Sequence, residues 1–323
     1  MAEASAQGHP RPTGDIHAAS GGSAGKRAAL LCGILATVLW GLAFPSTKVA
    51  VAALPPMTLT AAQFMVACLT LPVLARITGK DLRIARGDAP VLALGGLVGV
   101  TLFFYCQDNG LLRLSASEAS LIIATVPVVS VLADRAFLGT RFPGRVYAGS
   151  LVSLAGVALI VLRPALGSAA SLAGTLFMFA AVAAWVAYSF ATRGVARRYG
   201  WMAVTFWQGL FGCLSCLPFA LREAPAWRPP GWAVALNVLY LGLMAAVAAF
   251  GLFVAAIDRL GVGRANVFIN LIPVAATVGG FCLLGERLGG LQWAGGAVVL
   301  AGVFWAGHPG DQAPNSSGSS ASR

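Results

Sequence analysis

Charge is scarce in this chain, and histidine is nearly absent. Of 323 residues, 22 are Lys or Arg, 11 are Asp or Glu and 3 are His. The histidines, His9, His17 and His308, lie at the two ends of the chain. No Ser–His, metal-type His/Glu or paired-Asp arrangement falls within an apolar run, which argues against an intramembrane protease or lipid transferase. No metal or cofactor is expected. The six cysteines all sit inside apolar segments, and Cys213-Leu-Ser-Cys216 has neither a histidine nor a second pair beside it. Such a pair reads as small packing residues. Long polar connections are lacking too, so there is no room for a soluble domain between the apolar runs.

What fills the chain is hydrophobic surface. Apolar residues make up 58% of it, and the mean hydropathy is +0.80. A soluble protein of this length needs far more polar surface to cover its core. Apolar runs near 20 residues recur, the length that crosses roughly 30 Å of hydrocarbon as a helix. The class is an all-α polytopic membrane protein whose solvent is the lipid bilayer. The net charge of +11 does not mark a nucleic-acid partner, because the basic residues are spread singly over short connections.

Ten transmembrane helices are predicted, at about 28–50, 57–77, 89–109, 114–138, 145–162, 172–192, 202–221, 232–255, 262–284 and 291–307. Residues 1–27 and 308–323 are low-complexity tails, read as disordered and cytoplasmic, and the first of them is not a signal peptide. With the N-terminus inside, only Lys48, Arg113, Arg163, Arg222, Arg228 and Arg287 fall on the outer side, a 16 to 6 split of Lys and Arg. Positive residues stay inside, so a multi-pass protein of the inner (plasma) membrane with both termini cytoplasmic is expected.

The chain also repeats itself. Residues 114–149 are echoed by 260–295, with Pro127 matching Pro273, Gly139 matching Gly285, Arg141 matching Arg287 and Gly149 matching Gly295. Trp40 pairs with Trp185 and Gln63 with Gln208 at almost the same offset. Two repeats result, 28–162 and 172–307, each with five spans. An odd number turns the second repeat upside down, and inverted repeats place a substrate site near the midplane between them. Gly149/Gly156 and Gly295/Gly302 recur at seven residues, about two helical turns, and let helices approach closely.

The candidate substrate-binding residues are Trp40, Phe44, Gln63, Tyr105, Trp185, Tyr188, Gln208 and Asn270. Tryptophan at mid-depth needs a partner for its N–H, which a substrate, a water-filled cavity or a carbonyl can supply; bulky packing is the alternative. The two glutamines either orient a polar solute or bond across helices. Pro127 and Pro273 break their helices and loosen the carbonyls of Ile123 and Ile269, and Asn270 stands beside the second. Glu118, about one turn inside its span, is the candidate proton-coupling carboxylate. Asp108 and Asp134 read as interfacial, and Lys48 and Arg193 as snorkelling near opposite membrane faces.

With its proline-centred helix leading into Leu283-Leu284-Gly285-Glu286-Arg287-Leu288, the chain resembles the EamA-domain members of the drug/metabolite transporter superfamily over about 28–307. The first repeat departs from the pattern, reading Gly139-Thr140-Arg141 where the second has Gly285-Glu286-Arg287. The resemblance implies alternating access around a central cavity, with export of amino acids or other small metabolites or drugs. A small-molecule substrate is therefore expected, and nothing sets the oligomeric state. Exchange of phosphorylated or nucleotide-linked sugars is the alternative, though it would want Lys or Arg at mid-depth. A non-transporting receptor or assembly factor is the alternative of another class.

Overall fold

A computed structural model describes residues 23–139, 143–167, 169–196, 198–227, 229–260 and 268–307. The described residues are helical, with no strand among them. Seven stretches among them are long and apolar enough to cross a bilayer. Thr140, Arg141, most of both tails and the connection at 261–267 lie outside the described residues.

Helix α1 (Ser23–Val51) begins ahead of the expected start at 28. Next come α2 (Pro56–Thr78) and α3 (Ala89–Gly96), the latter running without a break through a π-helical stretch at Leu97–Leu102 into α4 (Phe103–Leu111). A proline-broken rod follows, α5 (Ala116–Ile123) and α6 (Val126–Leu138), then α7 (Gly144–Gly167). The rest of the chain supplies α8 (Ala169–Ala196), α9 (Trp201–Arg222) and α10 (Trp232–Leu239). From α10 a second π-helical stretch, Tyr240–Ala248, leads into α11 (Ala249–Leu260). A 3-10 turn at Phe268–Leu271 enters α12 (Ile272–Leu284), and α13 (Gly290–Gly307) completes the described residues.

Both proline breaks have the same local cause. Pro127 and Pro273 each sit in the first turn of a new helix, where the missing N–H costs nothing. At the first break the Ile122 carbonyl accepts from both the Thr125 amide at 3.0 Å and the Thr125 hydroxyl at 2.6 Å, which closes the end of α5. The rods that follow both end in a left-handed glycine, Gly139 at φ +67° and Gly285 at φ +66°, a conformation side chains with a Cβ rarely adopt.

The halves are joined by reciprocal close approaches. A Cβ on Gly156 would lie 2.7 Å from the Gly295 carbonyl oxygen, and one on Gly302 would lie 2.6 Å from that of Gly149. Gly156 also faces the Val299 amide, and Gly302 the Ser153 amide. Each contact maps onto the other through the repeat offset, so α7 and α13 cross as a pseudo-two-fold pair. The same relation recurs further along. A Cβ on Gly96 would sit 2.6 Å from the Gln208 carbonyl oxygen, and one on Gly242 would sit 2.7 Å from that of Gln63. Backbone-to-backbone packing of this kind holds helices together where lipid tails are as apolar as leucine.

Gly302→Leu would push side chain into the backbone of Ser153. The expected outcome is a loss of roughly 1–3 kcal/mol, read as a lower melting temperature in detergent, while Gly290→Ala, with open space around it, leaves the melting temperature unchanged.

Candidate functional site

Between the halves lies a cavity of about 380 Å³. Trp40, Phe44, Gln63, Pro127, Trp185, Tyr188 and Gln208 all line it. So do Ile123 and Ile269, the residues whose carbonyls the two prolines loosen. Tyr105 does not: it is 43% exposed and meets Phe177 edge-on on the outside of the bundle. Pro273 is buried behind the wall. Asn270 contributes backbone to the 3-10 turn, and its side chain lies outside the described residues.

The wall is aromatic and its polar groups are uncharged. Trp40 packs between Phe250 and Phe253, each ring centroid 5.1 Å away, and its indole N–H donates to the Ala245 carbonyl at 3.0 Å. Trp185 lies 5.1 Å from Phe103 and 5.2 Å from Tyr188. The Tyr188 hydroxyl donates to Gln208 Oε1 at 2.9 Å, leaving the buried Gln208 Nε2 without a partner. Gln63, Gln107, Thr47 and Thr205 complete the polar lining, and among the described residues no Lys, Arg, Asp or Glu reaches it.

Both π-helical stretches border this cavity, through Gly99 and Val100 in one half and Leu241, Ala245 and Ala246 in the other. They occupy equivalent repeat positions. A π turn leaves its carbonyls imperfectly matched to the chain's own amides and recurs at functional sites. Trp40 uses one of those carbonyls. Helical periodicity alone does not reveal a π turn, but the paired glycines Gly96 and Gly242 were the available signal.

One end of the bundle is stitched across the halves by carboxylates at helix N-termini. Glu286 accepts from the Ala116 amide at 2.8 Å, the Ser117 amide at 3.2 Å and the Ser117 hydroxyl at 2.9 Å, capping α5. Gly280 leaves the space this requires, since a Cβ there would lie 2.6 Å from Glu286 Oε2. Glu223 treats α2 in the same way, accepting from the Met57 amide at 3.2 Å and from the Thr58 amide and hydroxyl at 2.8 Å each. Unpaired amides and the helix dipole both favour a negative group there. Lys48 serves the opposite polarity, donating to the terminal carbonyls of Leu111 at 2.6 Å and of Leu114.

Glu118 belongs to this stitching rather than to the cavity. It closes a capping box with Ser115, accepting from the Ser115 amide at 3.0 Å and hydroxyl at 2.9 Å, and its other oxygen accepts from Gln292. Asp108 is completely buried, because α4 turns it inward against Thr60 of α2. At the other end, Asp88 accepts from Arg198 at 2.8 Å and from the Tyr199 hydroxyl at 2.7 Å.

Residues 27–162 and 172–307 each match the EamA-like transporter family. The chain is 31% identical over 271 residues to a protein of Streptantibioticus cattleyicolor named "Probable terminal-alkyne amino-acid exporter", covering 84% of this chain and 90% of the relative. It is 23% identical over 289 residues to an Escherichia coli protein named "Probable amino-acid metabolite efflux pump", covering 84% and 92%. A crystal structure whose description gives no function aligns with a TM-score of 0.57 at 26% identity, over 86% of this chain and 97% of that one.

Removing the α5 cap with Glu286→Ala should cost roughly 0.5–2 kcal/mol, as for other N-caps. Thermal unfolding of the purified protein measures it, and Glu286→Gln, which keeps an acceptor, should lose less. A melting temperature unchanged in both would show that the cap carries no stability.

Proposed function

Because the chain belongs to the EamA-like transporter family, and so is a multi-pass membrane transporter rather than an enzyme, we propose that it exports small uncharged or zwitterionic solutes of amino-acid type by alternating access. The observation that carries this reading is the cavity between the halves, aromatic and amide-lined, with no ionised side chain in its described wall. A fixed Lys or Arg there would favour phosphate-bearing cargo; its absence from the described lining disfavours phosphorylated or nucleotide-linked sugars. Amide and hydroxyl groups pair with either end of a zwitterion, and the aromatic faces suit an apolar side chain. The names of the two relatives, both referring to amino acids, agree with this choice.

In this reading the architecture is ten spans in two inverted repeats at 28–162 and 172–307. The distribution of Lys and Arg supports cytoplasmic termini in the inner (plasma) membrane. The end that holds Lys48 and is stitched by Glu223 and Glu286 is then the outer face, held shut by the cross-half contacts of the two glutamates. Trp40, Phe44, Gln63, Trp185, Tyr188 and Gln208 act as the substrate contacts, and export requires those outer contacts to part while the reciprocal glycine crossings hold.

The test is counterflow of radiolabelled leucine, phenylalanine, methionine and threonine into proteoliposomes. At least one should exchange and raise the protein's melting temperature, since a ligand that binds the native state stabilises it. Trp185→Ala and Gln208→Leu should each slow that exchange by about tenfold, equivalent to ~1.4 kcal/mol. Exchange of glucose 6-phosphate with none of the amino acids would overturn the substrate class; wild-type rates in both variants would overturn the cavity as the path.

A further inference from the structure

Asp108 is a charged residue type with no exposed surface, placed in a membrane-spanning rod. Its Oδ2 accepts from the Thr60 hydroxyl at 3.3 Å, and its Oδ1 has no hydrogen-bond partner. No ion pair reaches it among the described residues. Buried polar atoms without partners are few in folded proteins and call for a cause. An ionised carboxylate with one bare oxygen in such a setting is costly, and ionisable groups inside a membrane mark ion pathways by default.

The surroundings decide which ion. Thr60 of α2 is the direct partner, and the Gln107 amide stands beside it. Glu223 acts on Asp108 through space, as Asp108 does on the buried thiol of Cys216 in α9. Lys48 of α1 is committed to the Leu111 and Leu114 carbonyls, Glu118 of α5 to its capping box, and Tyr188 of α8 to Gln208. Arg113, just past α4, is held by the Asn109 carbonyl. No cluster of metal-ligating side chains surrounds Asp108 among the described residues. A proton on Oδ1 removes the charge and leaves the Thr60 bond in place, and it needs no further ligand.

We propose that Asp108 is a proton-binding site whose occupancy is linked to the sealing of the Glu223 end of the bundle. Thr60 lies less than one turn from Thr58, at the N-terminus of α2 that Glu223 caps. Parting of Glu223 from α2 admits water to Asp108, which gives its proton to that water; resealing requires the proton back. The binding of the proton stands on Asp108 and Thr60 alone, whereas its link to opening rests on the transport reading.

Infrared titration of the purified full-length protein tests the site. A protonated-carboxyl band is expected near neutral pH, lost in Asp108→Asn, shifted in frequency in Thr60→Val, and unchanged in Glu118→Gln. Its absence from the wild type, or its persistence in Asp108→Asn, overturns the proposal; Thr60→Val keeps the test alive if Asp108→Asn does not fold. A band that responds to sodium at constant pH overturns it also. For the link, hydrogen exchange at the Met57 and Thr58 amides, corrected for intrinsic rates, should rise with pH in the wild type and stay flat in Asp108→Asn. A band behaving as expected with pH-insensitive exchange would overturn the link and leave the site standing.

Discussion

Backbone groups released inside hydrocarbon find no water, and this constraint organises the molecule. Where α5 gives way to α6, the Thr125 hydroxyl takes the Ile122 carbonyl. Where the second π-helical stretch frees the Ala245 carbonyl, the Trp40 indole takes it. Helix termini obey the same rule at larger scale. The first amides of α5 and α2 are met by Glu286 and Glu223, and the last carbonyls of α4 by Lys48. Except at Thr125, the partner comes from a distant part of the chain, so local irregularity is converted into tertiary connection.

That conversion explains why irregular backbone collects around the cavity. The two proline breaks and the two π-helical stretches all border it. A straight α-helix satisfies itself and presents only side chains, whereas a broken one also presents carbonyls, which must be met by neighbours, water or a solute. The glycine crossings of α7 with α13 lie away from this centre and contain no such defect.

The polar groups divide along the same line. Charged side chains gather at the ends of the helices, where they cap, and amides and hydroxyls line the middle. Asp108 breaks the pattern, being charged in type and wholly enclosed. Glu118 shows the converse. From sequence it stood out as an acid inside a span, yet its position three residues after Ser115 made it a capping residue from the outset. The Ser-x-x-Glu spacing carried that information as plainly as the hydropathy did.

The helical class, the offset of about 146 residues and the pairing of Trp40 with Trp185 and of Gln63 with Gln208 were all legible in the chain, because each is a matter of composition or period. So was the left-handed turn at Gly139 and Gly285, which only glycine adopts freely. Tertiary structure alone decided that Tyr105 faces outward while Phe44 faces the cavity, since on a helix buried on one side and lipid-facing on the other both surfaces are apolar. It alone decided that Glu286 and Glu223 cap helices more than a hundred residues away, and that Asp108 is sealed from water. Hydropathy reports depth along a helix, but which way a residue turns depends on the neighbours that meet it, and those are set only when the two halves close on each other.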